Sequence, residues 1–234
     1  MDDIVIVGCA GAIGSHLMRA FASEYRLLGI FHNLTPKPLL GDPHRYVIAD
    51  VAHYDDVEPL VDIVELELGP RIVLVNAVGK TINGTGHRQN PRDVQDVLNT
   101  NLLGAFNLCR AFLPLMRERG WGRIINLSSV VGLRGVPGAS AYAASKAGLL
   151  AMTRTLAVEN ARKGITVNAL NLGYMEDGLI NAVPEETRKK IVEERIPMGR
   201  LGSLDNVAAA VRFLIEADYV TGTAVDIDGG FLCS

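Results

Sequence analysis

The chain has 234 residues, 48% of them hydrophobic and 21% charged, with a formal net charge of -3. That length buries a large core in one domain, and the apolar fraction excludes wholesale disorder. No apolar run approaches the ~18 residues of a membrane helix, Asp2 and Asp3 suit a secretory leader poorly, and the mildly acidic balance offers no footprint for nucleic acid. Three dispersed cysteines (Cys9, Cys109, Cys233) form no disulfide framework and point to a reducing, cytoplasmic compartment.

Short apolar, often β-branched runs recur at residues 4–7, 27–31, 46–49, 72–75, 124–127, 166–170 and 224–227. Most lack period-2 alternation, as expected of strands covered on both faces. The first run leads into Gly8-Cys-Ala-Gly11-Ala-Ile-Gly14, with a helical segment from Ser15 onward. Glycines there let the chain turn tightly and let backbone approach a pyrophosphate, while the helix N-terminus offers free N–H groups to the anion. A plain structural turn is the competing reading. After the second run the chain reads Phe31-His32-Asn33, with Lys37 slightly downstream. No carboxylate stands there to bind a ribose 2′-hydroxyl and repel a 2′-phosphate, so the segment favours NADP(H) over NAD(H). Asp50-Val51, closing the third run, can contact an adenine ring; equally, Asp50 can cap the next segment.

Pro91 suits the first turn of a helix that Gly120 ends, and Val94, Val97, Leu98, Ala105, Leu108, Phe112 and Met116 recur along it at steps of three and four. Asn101 lies on that apolar stripe, where a buried amide must find partners. Ser128-Ser129 end the fifth run, and strand C-termini of open parallel sheets point into the ligand crevice. A hydroxyl there can donate to a carbonyl oxygen gaining negative charge, or it can cap a loop. Tyr142-Ala-Ala-Ser-Lys146 puts a phenol and an ammonium on one helix face. A tyrosine ordinarily titrates near ~10, and a neighbouring ammonium would lower that value towards use as an acid or base. Strands alternating with helices this often imply right-handed crossovers and a doubly wound α/β sheet, and no repeat or long linker divides it.

Across essentially its whole length the chain resembles the short-chain dehydrogenase/reductase family. The resemblance is carried by the glycine turn at residues 8–14, by Gly122-Arg-Ile-Ile-Asn-Leu-Ser-Ser129 with Tyr142-Ala-Ala-Ser-Lys146, by Ile196-Pro-Met-Gly-Arg-Leu-Gly202, and by Thr221-Gly followed by Asp228-Gly-Gly230. Within the family it is most similar to the 3-oxoacyl-[acyl-carrier-protein] reductases. The resemblance implies one Rossmann-type domain over residues 1–234 with a seven-stranded parallel sheet, and hydride transfer from NADPH to a ketone carbon. It implies Tyr142 as proton donor, Lys146 as the group that lowers its pKa and binds the nicotinamide ribose, Ser129 as the donor that polarises the carbonyl, and Asn101 as holder of a relay water. Cofactor contacts then fall on Gly8, Gly11, Ala12, Ile13, Gly14, His32, Asn33, Asp50, Val51, Asn76, Ala77, Val78, Gly173 and Met175, besides Tyr142 and Lys146. An acyl carrier protein is an implied partner, with Arg117, Arg119, Arg162 and Lys163 as docking candidates, although cations at helix C-termini also favour the dipole unaided. Tetramers or dimers built through residues 91–119 and 142–163 are implied as well.

Four positions depart from the family pattern. Ala12 stands at the usual middle glycine, Asn76-Ala-Val-Gly79 keeps one of two asparagines, Leu172-Gly173 replaces Pro-Gly, and Asp177 aligns with a threonine that often touches the nicotinamide carboxamide. Residues 174–202 mix Met175, Leu179, Ile180, Val183 and Ile191 with many charges, suiting a lid that decides the substrate or a plain surface helix pair. The five histidines show no metal-ligand spacing, and no nucleophile turn or phosphate loop occurs. The reading is an NADPH-dependent reductase of a 3-oxoacyl thioester, carrier- or CoA-linked, of fatty-acid or polyketide type. The alternatives are a dehydrogenase of another secondary alcohol, such as a polyol or ring ketone, and a non-catalytic nucleotide-binding relative.

Overall fold

In the computed structural model, which describes residues 2–33, 40–41 and 44–234, seven parallel strands lie in one sheet in the order β3-β2-β1-β4-β5-β6-β7. These are β1 (Asp3–Val7), β2 (Arg26–Phe31), β3 (Arg45–Ile48), β4 (Ile72–Asn76), β5 (Gly122–Ser129), β6 (Ile165–Leu172) and β7 (Ala224–Ile227). Each sits on one of the apolar runs, with ends displaced by a residue or two where ladder hydrogen bonds rather than hydrophobicity set the boundary. Every residue of β1, β4, β5 and β6 is buried, which is why these strands read as continuous runs.

Helices cover both faces. On one, α1 (Ala12–Phe21) and a late helix at Leu204–Glu216 bury Leu17, Phe21, Val207, Val211 and Leu214 with Ile4, Ile6, Val73 and Val75. On the other, α2 (Tyr54–Val57), α3 (Leu60–Glu67), α4 (Pro91–Leu98), α5 (Gly104–Arg119) and α6 (Ser140–Asn160) form the cover, and Leu60, Val64, Leu108, Phe112 and Leu156 pack with Val5, Leu28, Leu74 and Ile124. Residues 174–202 leave β6 through a 3-10 turn, Leu179–Ala182, and α7 (Glu185–Arg195), and return to pair Gly202 with Met175; the late helix is α8. The root of this flap packs Ile191, Val192 and Ile196 with Val130, Tyr174 and Phe231 in a small third core. No helix among the described residues is long and apolar enough to cross a membrane.

The chain winds outward from β1 to β3, then returns to β4 on the other side of β1, so the loops after β1 and β4 diverge at mid-sheet. An open α/β sheet holds its ligand at such a switch point. Gly8 turns there at φ 83°, where a methyl group would stand 3.0 Å from the Ala77 carbonyl oxygen. A methyl group on Gly14 would lie 2.2 Å from the Gly8 carbonyl oxygen, so α1 starts too close to β1 for any side chain.

Two elements differ from expectation. The helix anticipated from Pro91 to Gly120 is interrupted by a π-helical turn, Asn99–Leu103, whose widened loop of backbone turns the buried Asn101 inward. Its ends fall as expected: Asn90 Oδ1 accepts the Arg92 N–H at 2.9 Å, and Gly120 closes α5 at φ 66°. Second, the described part of the β2–β3 connection contains no helix. The Tyr46 ring covers that patch of sheet instead, 2.9 Å from where a Gly29 methyl would sit, and its hydroxyl accepts the Leu40 N–H at 3.0 Å.

Gly14→Ala is expected to destabilise the fold by ~2–3 kcal/mol, as overpacking against backbone does. Gly135→Ala, where a methyl group meets nothing within 4 Å, serves as the control in thermal melts. Equal melting temperatures for the two variants would contradict the close approach of α1 and β1.

Candidate active site

β5 stays extended through its last residue, Ser129, at φ -153° and ψ 150°. Neighbouring strand residues face opposite ways, and the two serines accordingly have different partners. Ser128 Oγ donates to the Lys146 carbonyl at 3.1 Å, whereas Ser129 Oγ accepts the Val131 N–H at 3.2 Å and lies near the Tyr142 phenol. α6 presents Tyr142 and Lys146 one turn apart. Lys146 is buried, and its Nζ donates to the carbonyls of Leu127 at 2.7 Å and Val78 at 3.5 Å, 5.7 Å from the centre of the Tyr142 ring. Burial lowers the Lys146 ammonium to about 8. Burial also raises the Tyr142 phenol above its usual value, with the Ser129 hydrogen bond acting in the opposite direction. Desolvation of the phenolate is the larger cause, and Ser129 is the opposing group.

Asn101 fastens the loop after β4. Its Oδ1 accepts the Lys80 N–H at 2.8 Å, and its Nδ2 donates to the Lys80 carbonyl at 2.8 Å and to Ser145 Oγ at 3.0 Å. Ser145 Oγ in turn donates to the Tyr142 carbonyl at 2.7 Å. Both amide hydrogens of Asn101 are engaged by protein, so its side chain ties loop to helix. Sequence reasoning passed over Ser145. Its available signal was position: a hydroxyl three residues after Tyr142 reaches back to that residue's carbonyl.

Around the switch point, Gly11 N–H bonds the Gly8 carbonyl at 3.0 Å and stands before α1 without a side-chain cap. Ala12, Ile13 and Gly14 form the first helical turn, where N–H groups lack intrahelical partners. Ala77 N–H bonds the Val7 carbonyl at 2.9 Å and Asn76 Oδ1 accepts the Val78 N–H at 3.4 Å, bringing residues 76–78 beside the glycine turn. The flap reaches the same place, since a methyl group on Gly178 would stand 3.5 Å from Ala12 Cβ. Asp177 Oδ1 is held by Gly178 N–H at 2.7 Å and Asn181 Nδ2 at 2.6 Å. Gly173 bonds the Ile227 carbonyl at 3.0 Å and leaves no room for a methyl group beside Asp228, while Met175 is buried against Gly202, so both root the flap.

The far end differs from its reading. Asp50 Oδ1 accepts the Ala52 N–H at 3.0 Å, which is the capping alternative, and Oδ2 lies 3.5 Å from His32 Nδ1 and 3.9 Å from His53 Nε2. The place read as free of carboxylate after β2 thus has one close by, contributed by the chain just after β3. Val51 is buried against Gly104 and its carbonyl accepts from Asn107 Nδ2 at 2.9 Å, so its side chain packs in the core. Asn33 is exposed, and Lys37 lies outside the described residues. Arg117 bonds Asn160 Oδ1 at 2.7 Å and Arg119 the Gly69 carbonyl at 2.9 Å. With Arg162 and Lys163 they sit before the N-terminal ends of β5 and β6, a strand's length of roughly 26 Å from the Ser129 end.

The fold and the family match define a class, the oxidoreductases. A family model described as enoyl-(acyl carrier protein) reductase matches residues 37–232. The chain belongs to the short-chain dehydrogenase/reductase family, whose members like it act on CH–OH groups. It is 42% identical to the acetoacetyl-CoA reductase of Shinella zoogloeoides over 77% of this chain and 76% of the relative. It is 39% identical to the 3-oxoacyl-[acyl-carrier-protein] reductase of Bos taurus over 98% of each. A gluconate 5-dehydrogenase from Burkholderia cenocepacia J2315, solved with NADP and tartrate, superposes with a TM-score of 0.90 at 28% identity, covering 100% of this chain and 96% of that one.

The lowered Lys146 carries a stability signature. Because its folded pKa lies below its unfolded one, the unfolded state binds more protons between about 8 and ~10.4, so this group's contribution rises with pH through that window. Urea melts of wild type and Lys146→Met should show wild type gaining on the variant from pH 7.5 to 10, by a few kcal/mol at most. A pH-independent difference would contradict the burial of a titrating ammonium.

Proposed function

We propose that the protein is an NADP(H)-dependent ketoreductase acting on 3-oxoacyl thioesters. The carrying observation is the Ser129–Tyr142 hydroxyl pair beside an ammonium that Leu127 and Val78 hold in place. Two neighbouring hydroxyls can both turn to a carbonyl oxygen placed between them, giving it two donors as negative charge develops there. The raised Tyr142 phenol stays protonated at neutral pH, as a proton donor in the reductive direction must. Lys146 then stands ready to offset the phenolate that remains. An ammonium has three donors, and the one not given to Leu127 or Val78 suits a ribose hydroxyl. The bound nicotinamide supplies the hydride. Gly8, Gly11 and the first turn of α1 suit its diphosphate, and His32 is the nearest described candidate for a 2′-phosphate. Asp50, facing His32, works against that phosphate and makes the preference over NAD(H) smaller than the sequence alone suggests.

The thioester reading is supported by the names of the relatives at 39% and 42% identity, and both CoA- and carrier-linked substrates fit it. An acidic carrier docking on Arg117 and Arg119 draws no support from their position at the opposite end of β5. The gluconate dehydrogenase likeness favours a second reading, oxidation of a polyhydroxy acid. Self-association is part of the proposal: Leu103 and Phe106 are 45% and 46% exposed where the α4–α5 stretch borders Gly148 and Met152 of α6.

A panel of 3-oxoacyl-CoA thioesters, an enoyl thioester, gluconate and simple ketones, assayed by nicotinamide absorbance, decides among these. Tyr142→Phe should cut kcat/KM by about a hundred- to ten-thousand-fold while NADPH binding persists. Near-normal turnover would end the mechanism, and tighter binding of NADH than NADPH would end the cofactor assignment. Phe106→Glu should lower the mass measured by light scattering; a wild-type chain already monomeric would refute self-association.

A further inference from the structure

We infer that Gln89 is a positioning residue: by bridging to Ser140 it holds the loop after β4 as one wall of the crevice in front of Tyr142. The loop leaves the sheet beside the site, since a methyl group on Gly79 would stand 3.9 Å from Lys146 Nζ. The segment it faces, residues 130–139, follows Ser129 and ends at Ser140, the first residue of α6 and two before Tyr142. Three ties join the two. At its start the loop is clasped through Lys80 by the buried Asn101 amide. In the middle, Gly84 N–H bonds the Gly138 carbonyl at 2.9 Å. At its end, Gln89 Oε1 accepts from Ser140 Oγ at 2.7 Å, while Gln89 Nε2 donates to the Ile82 carbonyl at 3.1 Å.

The third tie depends on a side chain with particular chemistry. Only a primary amide of this length accepts from the hydroxyl and donates to the carbonyl at once. Glutamate keeps the acceptor and loses the donor; methionine keeps the volume and loses both. The stem is used too, because a methyl group on Gly84 would meet Gln89 Cγ at 3.3 Å, so the side chain lies along its own loop. With the bridge made, the Thr85–Arg88 stretch is suspended between fixed ends; without it, the backbone bond at Gly84 and the packing of α4 on α6 remain, and the side-chain tie next to Thr85–Arg88 is gone. Gln89 touches neither reacting group, so its influence is on how well a substrate is gripped, not on the proton or hydride steps.

The kinetic test rests on the ketoreductase reading, and a second test does not. In Gln89→Met the KM for the best 3-oxoacyl thioester should rise about three- to ten-fold, with kcat and the NADPH Kd unchanged. Gln89→Glu should fall between wild type and Gln89→Met, and Ser140→Ala should add nothing further in the Gln89→Met background. Independently of any substrate, amide exchange at Gly84 should accelerate by a similar factor in Gln89→Met. Unchanged exchange at Gly84 overturns the clamp itself. Faster exchange with an unaltered KM overturns its role at the substrate wall, and a matched fall in kcat and melting temperature reduces Gln89 to general stability. A protein that turns over none of the panel, yet whose Gly84 exchange responds, keeps the clamp and loses the proposed substrate.

Discussion

The bond from Lys146 Nζ to the Leu127 carbonyl organises this molecule, and the sheet has to be built unevenly for it to exist. β4 and β5 pair only as far as Asn76 and Asn126, whereas β5 and β6 continue to Ser129 and Leu172. Beyond Asn126 the β4 side of β5 has therefore lost its neighbour, because the chain after β4 turns away at the switch point. A strand edge left this way exposes ladder carbonyls in a buried place, and a buried carbonyl needs a donor. Lys146 supplies it, across from the Val78 carbonyl on the departing chain. One ammonium thus fills the notch where two strands part and fixes the turn of α6 that also bears Tyr142.

Holding a cation there is costly, which is visible in the lowering of Lys146 to about 8. The surrounding polar groups explain how the arrangement stays unique. Asn101, Ser145 and Lys80 form a closed set of hydrogen bonds linking the π-helical turn, α6 and the loop after β4. Ser128 adds a bond from β5 to the Lys146 carbonyl. Breaking any one leaves a buried donor or acceptor unmatched, so alternative packings of α6 on the sheet are penalised more than a purely apolar contact would penalise them. The π turn belongs to the same logic: it is the irregularity that brings the Asn101 amide inward, and it separates two helices that the apolar stripe alone presented as one.

Much of this was legible in linear order. The strands were plain because burial on both faces removes alternation, and Ser129, Tyr142 and Lys146 were plain because strand ends and helix spacing assign them to one crevice. Asn101 announced itself by violating an apolar stripe. What stayed hidden depends on juxtaposition across the fold. Ser145 and Gln89 look like ordinary polar residues until Asn101 and Ser140 are seen against them. Asp50 is 18 positions after His32 in the chain, and only the parallel pairing of β2 with β3 puts the two side chains within 3.5 Å. Val51 next to it reads as a surface contact until Gly104 opens a place for it in the core.

The two ends of the crevice are consequently built on different principles. Around the partly buried Tyr142, the side chains of Asn101, Ser129 and Lys146 are buried and bonded to backbone, and desolvation is the main influence on the ionisation of Tyr142 and Lys146. Around His32 the groups are two exposed imidazoles and a partly buried carboxylate at the ends of β2 and β3. Interactions of that kind are weak, screened and easily rebalanced by a single substitution. On the proposed function, proton transfer would fall in the first region and discrimination between two nearly identical dinucleotides in the second, so that cofactor preference could change without disturbing the proton step. The flap shows the same division: Gly173, Met175 and Gly202 pack its root tightly, while α7 fully buries none of its residues and only Ile191 and Val192 lean on the third core.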